Sequence, residues 1–289
     1  MSKKIAAIVT GALLCSFVAG YNSSIPVKAA TGSINQVESS KNVGIQAEKK
    51  DDLYQVSLLN GLMQGDYDGS VSIGDLLKHG DTGLGTFDKL DGEMIVINGE
   101  VYKAKSDGTV EKQPKTELTP FAAVGFMNND YTLSGLDGVK SLEDLKVILN
   151  KAVKDQAADK NAFYMVKIDG EFNMAHVRSV PKQVKPYRPL NVIASEQKEY
   201  EYKSVKGTII ALYCPDYMTG INLPSWHFHF ITDNRDKGGH LLGINIKSAK
   251  GTMDKMDDYN LVLPTSSTFA NMALAKDLSK ETQSTESKK

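Results

Sequence analysis

Cysteine is nearly absent from this chain: two residues in 289, Cys15 and Cys214. Cys15 lies in an N-terminal apolar run, so once that run is removed Cys214 stands alone, and an intrachain disulfide framework is excluded. Net charge is missing too. The 34 Lys and Arg against 35 Asp and Glu leave a balance of −1, so no basic field draws nucleic acid. Beyond the first thirty residues there is no long apolar run, which excludes a helical membrane domain. Histidine and tryptophan are scarce, at five and one. What is present, 41% hydrophobic and 24% charged, is the composition of a globular protein with a real core.

Lys3 and Lys4 precede an apolar run from Ile5 to Gly20, and Val27-Lys28-Ala29 then offers small residues suited to cleavage. This is the pattern of a secretory signal peptide over 1–29, cut near Ala29 or Ala30. It implies a secreted, extracellular protein with no membrane attachment after cleavage. Leu14 before Cys15 does not fit a lipoprotein site. Residues 30–50 are polar and lack apolar periodicity, and read as a flexible leader.

From Asp51 onward, short apolar segments alternate with turns. LYQVSLLNGLM begins extended and then suits a short helix. GEMIVINGEVYKAKSDG alternates around Asn98-Gly99, a hairpin signal. TPFAAVGF reads as a buried strand. SLEDLKVILNKAVKDQ is the clearest helix: Ser141 and Asp144 form a capping box, and Leu142, Leu145, Leu149 and Val153 make one apolar face. NAFYMVKIDGEFNMAHVRSV predicts a second hairpin, with Asp169-Gly170-Glu171 as turn residues. GTIIALYCP, SWHFHFIT and HLLGINIK predict three further strands, and Cys214, ending the first, is expected to be a packed thiol. The tail from Ser266 is polar and weakly patterned. The class is α+β with mixed or antiparallel sheets.

Three of the five histidines fall within SWHFHFITDNRDKGGH, residues 225–240. A strand sends alternate side chains to opposite faces. His227 and His229 therefore share one face, while Trp226, Phe228 and Phe230 share the other, which needs a core. DNRDKGG is a turn, and an antiparallel return brings His240 beside the first two. Three neutral imidazoles converging from neighbouring strands suit zinc or a similar ion, and three protein ligands leave coordination positions open, as catalytic sites do. His79 and His176 lack such company and read as structural or surface residues. QGDYDGSVSIGD resembles an EF-hand loop through Asp66, Asp68, Gly69 and Asp75. Gln64 at its first position and an Asp at its twelfth argue against calcium.

HGDTGLGTFDKLDGEM (79–94), VRSVPKQ (177–183) and HFHFITDNRDKGGH (227–240) together resemble the bacterial α-acetolactate decarboxylase family, and the signal peptide suits its secreted Bacillus-type members. The likeness runs from about Asp51 to the end of the chain. It implies two α/β subdomains, taken here as 51–185 and a metal-binding 186–289, a homodimer, and conversion of 2-acetolactate to acetoin and carbon dioxide. It implies zinc on His227, His229 and His240. The family's arginine falls on Arg178, its N-terminal glutamate on Glu93, and a second glutamate, from a tail folding back over the metal, on Glu286. Thr86, in the glycine-flanked GLGTF, is expected to contact the substrate, since glycine lets backbone come close. On this resemblance the metal stabilises an enediolate as the carboxylate departs, Arg178 orients the substrate, and Glu93 or Glu286 delivers the proton; both glutamates also ligate the metal when substrate is absent. No thiamine or pyridoxal is needed, because the substrate carries its own β-keto group.

Other classes compete for the same residues. HFHF resembles the His-x-His strand of α-carbonic anhydrases, a zinc hydratase, but the third histidine comes too soon and the following Trp-Gly is missing. A cupin-like barrel needs a glutamate a few residues after His-x-His, where Asp233 stands. A secreted metal-binding module without catalysis would have no need of Arg178 and two carboxylates beside the metal.

Overall fold

The computed structural model describes residues 51–286; the expected signal peptide, 1–29, and leader, 30–50, lie outside the described residues. The described chain opens with β1 (Asp52–Val56) and α1 (Leu59–Met63), then β2 (Val71–Ser72), α2 (Ile73–Leu76), β3 (Thr82–Thr86), β4 (Glu93–Ile97), β5 (Glu100–Ala104), β6 (Val110–Lys112), β7 (Leu118–Thr119) and β8 (Ala122–Gly125). After β9 (Tyr131–Leu133) and α3 (Leu142–Ala152) come β10 (Phe163–Ser179), α4 (Leu190–Ala194), β11 (Lys198–Cys214), β12 (Ser225–Thr232), β13 (Gly238–Met256) and β14 (Asp258–Val262). The tail carries α5 (Ser267–Ala270) and α6 (Ser279–Glu286).

Seven strands form a mixed sheet in the order β14-β1-β8-β3-β4-β5-β6, parallel only between β1 and β14. Five form a second, antiparallel sheet, β10-β11-β12-β13-β9, in which β10 also pairs with β13, so that β10, β11, β12 and β13 hydrogen-bond in a ring. β9 and β10 precede residue 186 yet belong to the second sheet, and β14 follows it yet joins the first. The division between the sheets therefore does not coincide with the boundary at 185/186.

Local chemistry explains the elements the sequence predicts. β4 and β5 turn at Asn98-Gly99, both at positive φ as a tight hairpin turn requires. At the start of α3, Ser141 Oγ accepts from Asp144 N at 3.1 Å and donates to the Asp144 carboxylate at 2.8 Å. That helix buries Leu145 and Leu149 against the second sheet, where Trp226, Phe228 and Phe230 supply the apolar face of β12. Trp226 Nε1 donates to Asn150 Oδ1 at 2.7 Å, satisfying the one polar atom of the ring. The opposite face of that sheet, with Ile210, Leu212 and Ile231, packs on Leu53, Leu84 and Ile95 of the first. Each such fully buried aliphatic side chain contributes about 1.5–3 kcal/mol.

One expectation is overturned. Residues 161–180 do not form a hairpin; β10 runs unbroken through Asp169-Gly170-Glu171. It is paired on both edges, by β11 and by β13, so a turn there would forfeit two ladders. Gly170 serves close approach instead of turning: a Cβ there would stand 2.5 Å from the Ser248 carbonyl oxygen. Glu171 is a strand residue whose carboxylate pairs with Lys206 and Lys247 on the exposed surface.

Candidate active site

Strand register assembles the site. β12 and β13 pair His229 directly with His240, and β13 and β10 pair His240 with Arg178. The second pairing depends on an irregularity: His176 faces Gly243 but Val177 faces Leu241, so Leu242 is skipped. Without that bulge Arg178 would lie opposite Leu241 instead. His227 shares the face of His229, and both point toward the first sheet. The ligand atoms of the three histidines lie within 4.8 Å of one another, with His227 Nε2 3.0 Å from His240 Nδ1. His229 Nδ1 donates to the Met94 carbonyl at 2.7 Å, which leaves Nε2 with the free lone pair.

Three further side chains reach this cluster from different elements. Glu93 opens β4 just after Gly92, whose φ is +91° and whose carbonyl accepts from Thr86 Oγ1 at 2.8 Å. Glu93 Oε2 lies 3.5 Å from His229 Nε2, and Oε1 lies 3.4 Å from Arg178 Nη1. Glu286, the last residue of α6, places Oε1 3.5 Å from Arg178 Nη2 and Oε2 3.3 Å from His240 Nε2. Arg178 thus lies between two carboxylates, each of which also faces a histidine.

Burial governs the charge states. Desolvation, with the Arg178 charge nearby, holds His227 down at about 3, and burial holds His229 and His240 well below the usual imidazole range. Neutral imidazole is the form that binds a metal. Burial pushes the Glu93 carboxyl up to about 7; Arg178 pulls it back and Glu286 adds to the rise. Burial also raises Glu286, against the pull of Arg178. His227 Nδ1, His229 Nε2, Arg178 Nε and Glu286 Oε2 are all buried without a hydrogen-bond partner. Buried polar atoms are ordinarily satisfied. Unmet atoms of these kinds gathered in one place fit a centre that takes both an ion and a polar ligand.

Two cavities adjoin it. A small one of about 50 Å³ is lined by Thr86, Glu93, Arg178, His227, His240 and Glu286 among others. A large one of about 1090 Å³ also reaches His227, His240 and Glu286 and is walled by Trp226, Leu223 and Leu278. Thr86 is therefore on the wall, with its hydroxyl proton committed to Gly92. The Met94 carbonyl was not legible in the sequence, because any residue supplies one.

The remaining singled-out residues lie elsewhere. His79 stacks on Tyr54 at 3.9 Å, and His176 Nε2 lies 2.8 Å from the Glu199 carboxylate. Cys214 is buried, which pushes its thiol up and leaves it unreactive. In the EF-hand-like stretch, Asp68 accepts from Lys185 and Tyr187, and Asp75 from Lys78.

Comparison with known proteins bears on the chemistry. A family described as Alpha-acetolactate decarboxylase matches residues 53–276. The alpha-acetolactate decarboxylase of Methanosarcina mazei is 37% identical over 258 residues, covering 89% of this chain and 88% of its own. That of Brevibacillus brevis is 33% identical over 285 residues, covering 98% of this chain and 95% of its own. The crystal structure of alpha-acetolactate decarboxylase from Bacillus subtilis strain 168 matches with a TM-score of 0.78 at 34% identity, over 82% of this chain and 100% of that one.

Proposed function

The chain belongs to the alpha-acetolactate decarboxylase family and is a carboxy-lyase converting 2-acetolactate to acetoin and carbon dioxide, and we propose that it does so as a zinc enzyme. His227, His229 and His240 would hold the ion, with Glu93 and Glu286 as further ligands when substrate is absent. One observation carries this reading: three neutral imidazoles, two buried and one half-buried, share a pocket with one guanidinium and two carboxyl groups. A zinc ion held by these residues would supply Lewis acidity to a substrate oxygen.

The chain's own residues do the rest. Arg178, with a buried Nε that has no partner, orients the substrate through paired hydrogen bonds. Glu93 of β4 and Glu286 of α6 line the small cavity beside Arg178. Loss of carbon dioxide leaves an electron pair on the adjacent carbon, and a proton must be delivered there. Glu93, held near neutrality in its affinity for a proton, can carry one at physiological pH; Glu286 is the second candidate. Thr86 fixes the turn that presents Glu93 and lines the substrate cavity.

The same proposal includes secretion through the 1–29 segment and action as a homodimer. No helix among the described residues is long and apolar enough to cross a membrane. The N-terminal sequence of protein recovered from culture medium and its mass in solution test these two points. The central test is acetoin formation from racemic 2-acetolactate by purified mature protein, before and after chelation. Activity that falls with chelator and returns with zinc is the expected result. Turnover indifferent to metal removal would end the zinc reading.

A further inference from the structure

Glu286 reaches the site from a tail that has little of its own to hold it. α6 spans only Ser279–Glu286, is mostly polar, and buries Thr282 and Thr285. Isolated helices of that length do not persist in water. Something outside the tail must fix the segment that leads into it.

α4 packs on α6, and ahead of that helix stands Asn60. It lies in α1, buried, with its backbone N–H donating to the Gly220 carbonyl at 2.9 Å. Its side-chain amide nitrogen donates to two tail carbonyls, Leu274 O at 2.8 Å and Lys276 O at 2.9 Å. Both hydrogens of one amide are thereby spent on residues just before α6. The Asn60 amide lies close against the loop below: Gly220 sits at φ +80°, and a Cβ there would meet Asn60 Nδ2 at 2.8 Å. Gln64, one turn on, adds a longer contact to Ala273 O at 3.3 Å. Leu278 then packs beside Leu59 and Leu62 of the same helix.

Resting on the role given above to Glu286, we infer that Asn60 is a positioning residue that clasps the tail and sets Glu286 against Arg178 and His240. It touches no reacting atom. It acts on turnover by holding the backbone from which α6 starts. The carbonyls it binds lie at tail positions where any side chain would serve, so the specificity belongs to Asn60.

Asn60→Asp tests this in the zinc-loaded, full-length enzyme. The variant is nearly isosteric but turns both donors into acceptors facing two carbonyls. Asn60→Ala removes the donors without adding charge. The expected result is at least a tenfold rise in hydrogen exchange across 274–286 and at least a tenfold fall in kcat, with KM changed less and the histidine-bound zinc retained. Combined with Glu286→Gln, Asn60→Asp should cost no more than Glu286→Gln alone, since both act through one group. Unchanged exchange in both Asn60 variants would overturn the inference, as would losses that simply multiply in the double variant. Full turnover in Glu286→Gln would count against the role of Glu286 itself, while the exchange data would still decide the clasp.

Discussion

Arg178 shows how much chemistry one side chain takes from its neighbours. Its charge lies between Glu93 and Glu286 and deepens the low proton affinity of the three histidines. Its planar fork holds two partners at fixed directions from separate nitrogens, a geometry that the single nitrogen of an ammonium does not reproduce. Arg178→Lys is therefore expected to keep zinc yet lose about 100-fold in kcat/KM, about 2.7 kcal/mol of transition-state stabilisation. Steady-state kinetics beside metal analysis checks this; near-normal turnover would remove the fork from the mechanism. Glu93→Gln keeps the shape and removes the acidic proton, so kcat should fall by about 10²–10⁴. His229→Ala should lose both metal and activity, because Met94 holds that ring in the tautomer that leaves Nε2 free.

At the scale of elements, the site exists because β10, β13 and β12 bring Arg178, His240 and His229 into one row. β10 is stiffened by pairing on both edges, and Gly170 allows β13 to lie close. Gly170→Val should thus destabilise the fold by about 1–3 kcal/mol, through overpacking against Ser248, and lower the melting temperature without changing the chemistry of what stays folded. The tail obeys different rules. Removing residues 284–289 takes away Glu286, and among the described residues of that stretch only Thr285 is buried. Turnover should fall at least tenfold while the melting temperature barely moves; a truncated enzyme with full kcat would refute the tail's part in catalysis.

For the molecule as a whole, the site is a store of buried ionisable groups that makes the metal-free protein sensitive to acid. Between about pH 4.5 and 6.5 the unfolded chain protonates its three freed histidines, with an ordinary value of 6.5, while the folded chain keeps them neutral. Over the same window Glu93, ordinarily at 4.5 and held near 7 in the fold, stays protonated there and ionises on unfolding, and burial pushes Glu286 in the same direction. Three protons taken up by the unfolded state outweigh the at most two held by the folded state, so stability falls as pH drops through this window. Melting of the metal-free protein from pH 7 to 5 should show this decline, and His229→Ala should flatten it. Zinc at 100 times its dissociation constant should add about 2.7 kcal/mol at neutral pH.

The sequence by itself determined the chemistry of the centre and much of the local fold. Alternation in WHFHFI put the imidazoles on one face and the aromatic rings on the core face, because strand geometry is a period of two and nothing distant alters it. The Asn98-Gly99 hairpin and the Ser141 cap were legible for the same reason: each is a contract between residues a few positions apart. Tertiary structure decided what such short-range rules cannot reach. Asp-Gly-Glu leads from a turn into β4 at 91–93 but lies mid-strand at 169–171, where all three residues are paired on both edges. The bulge that aligns Arg178 with His240, the Met94 carbonyl beneath His229, and the clasp of Asn60 on the tail all join backbone positions far apart in the chain. Backbone groups are the same in every residue, so contacts that depend on them leave no mark in the sequence until the fold has brought them together.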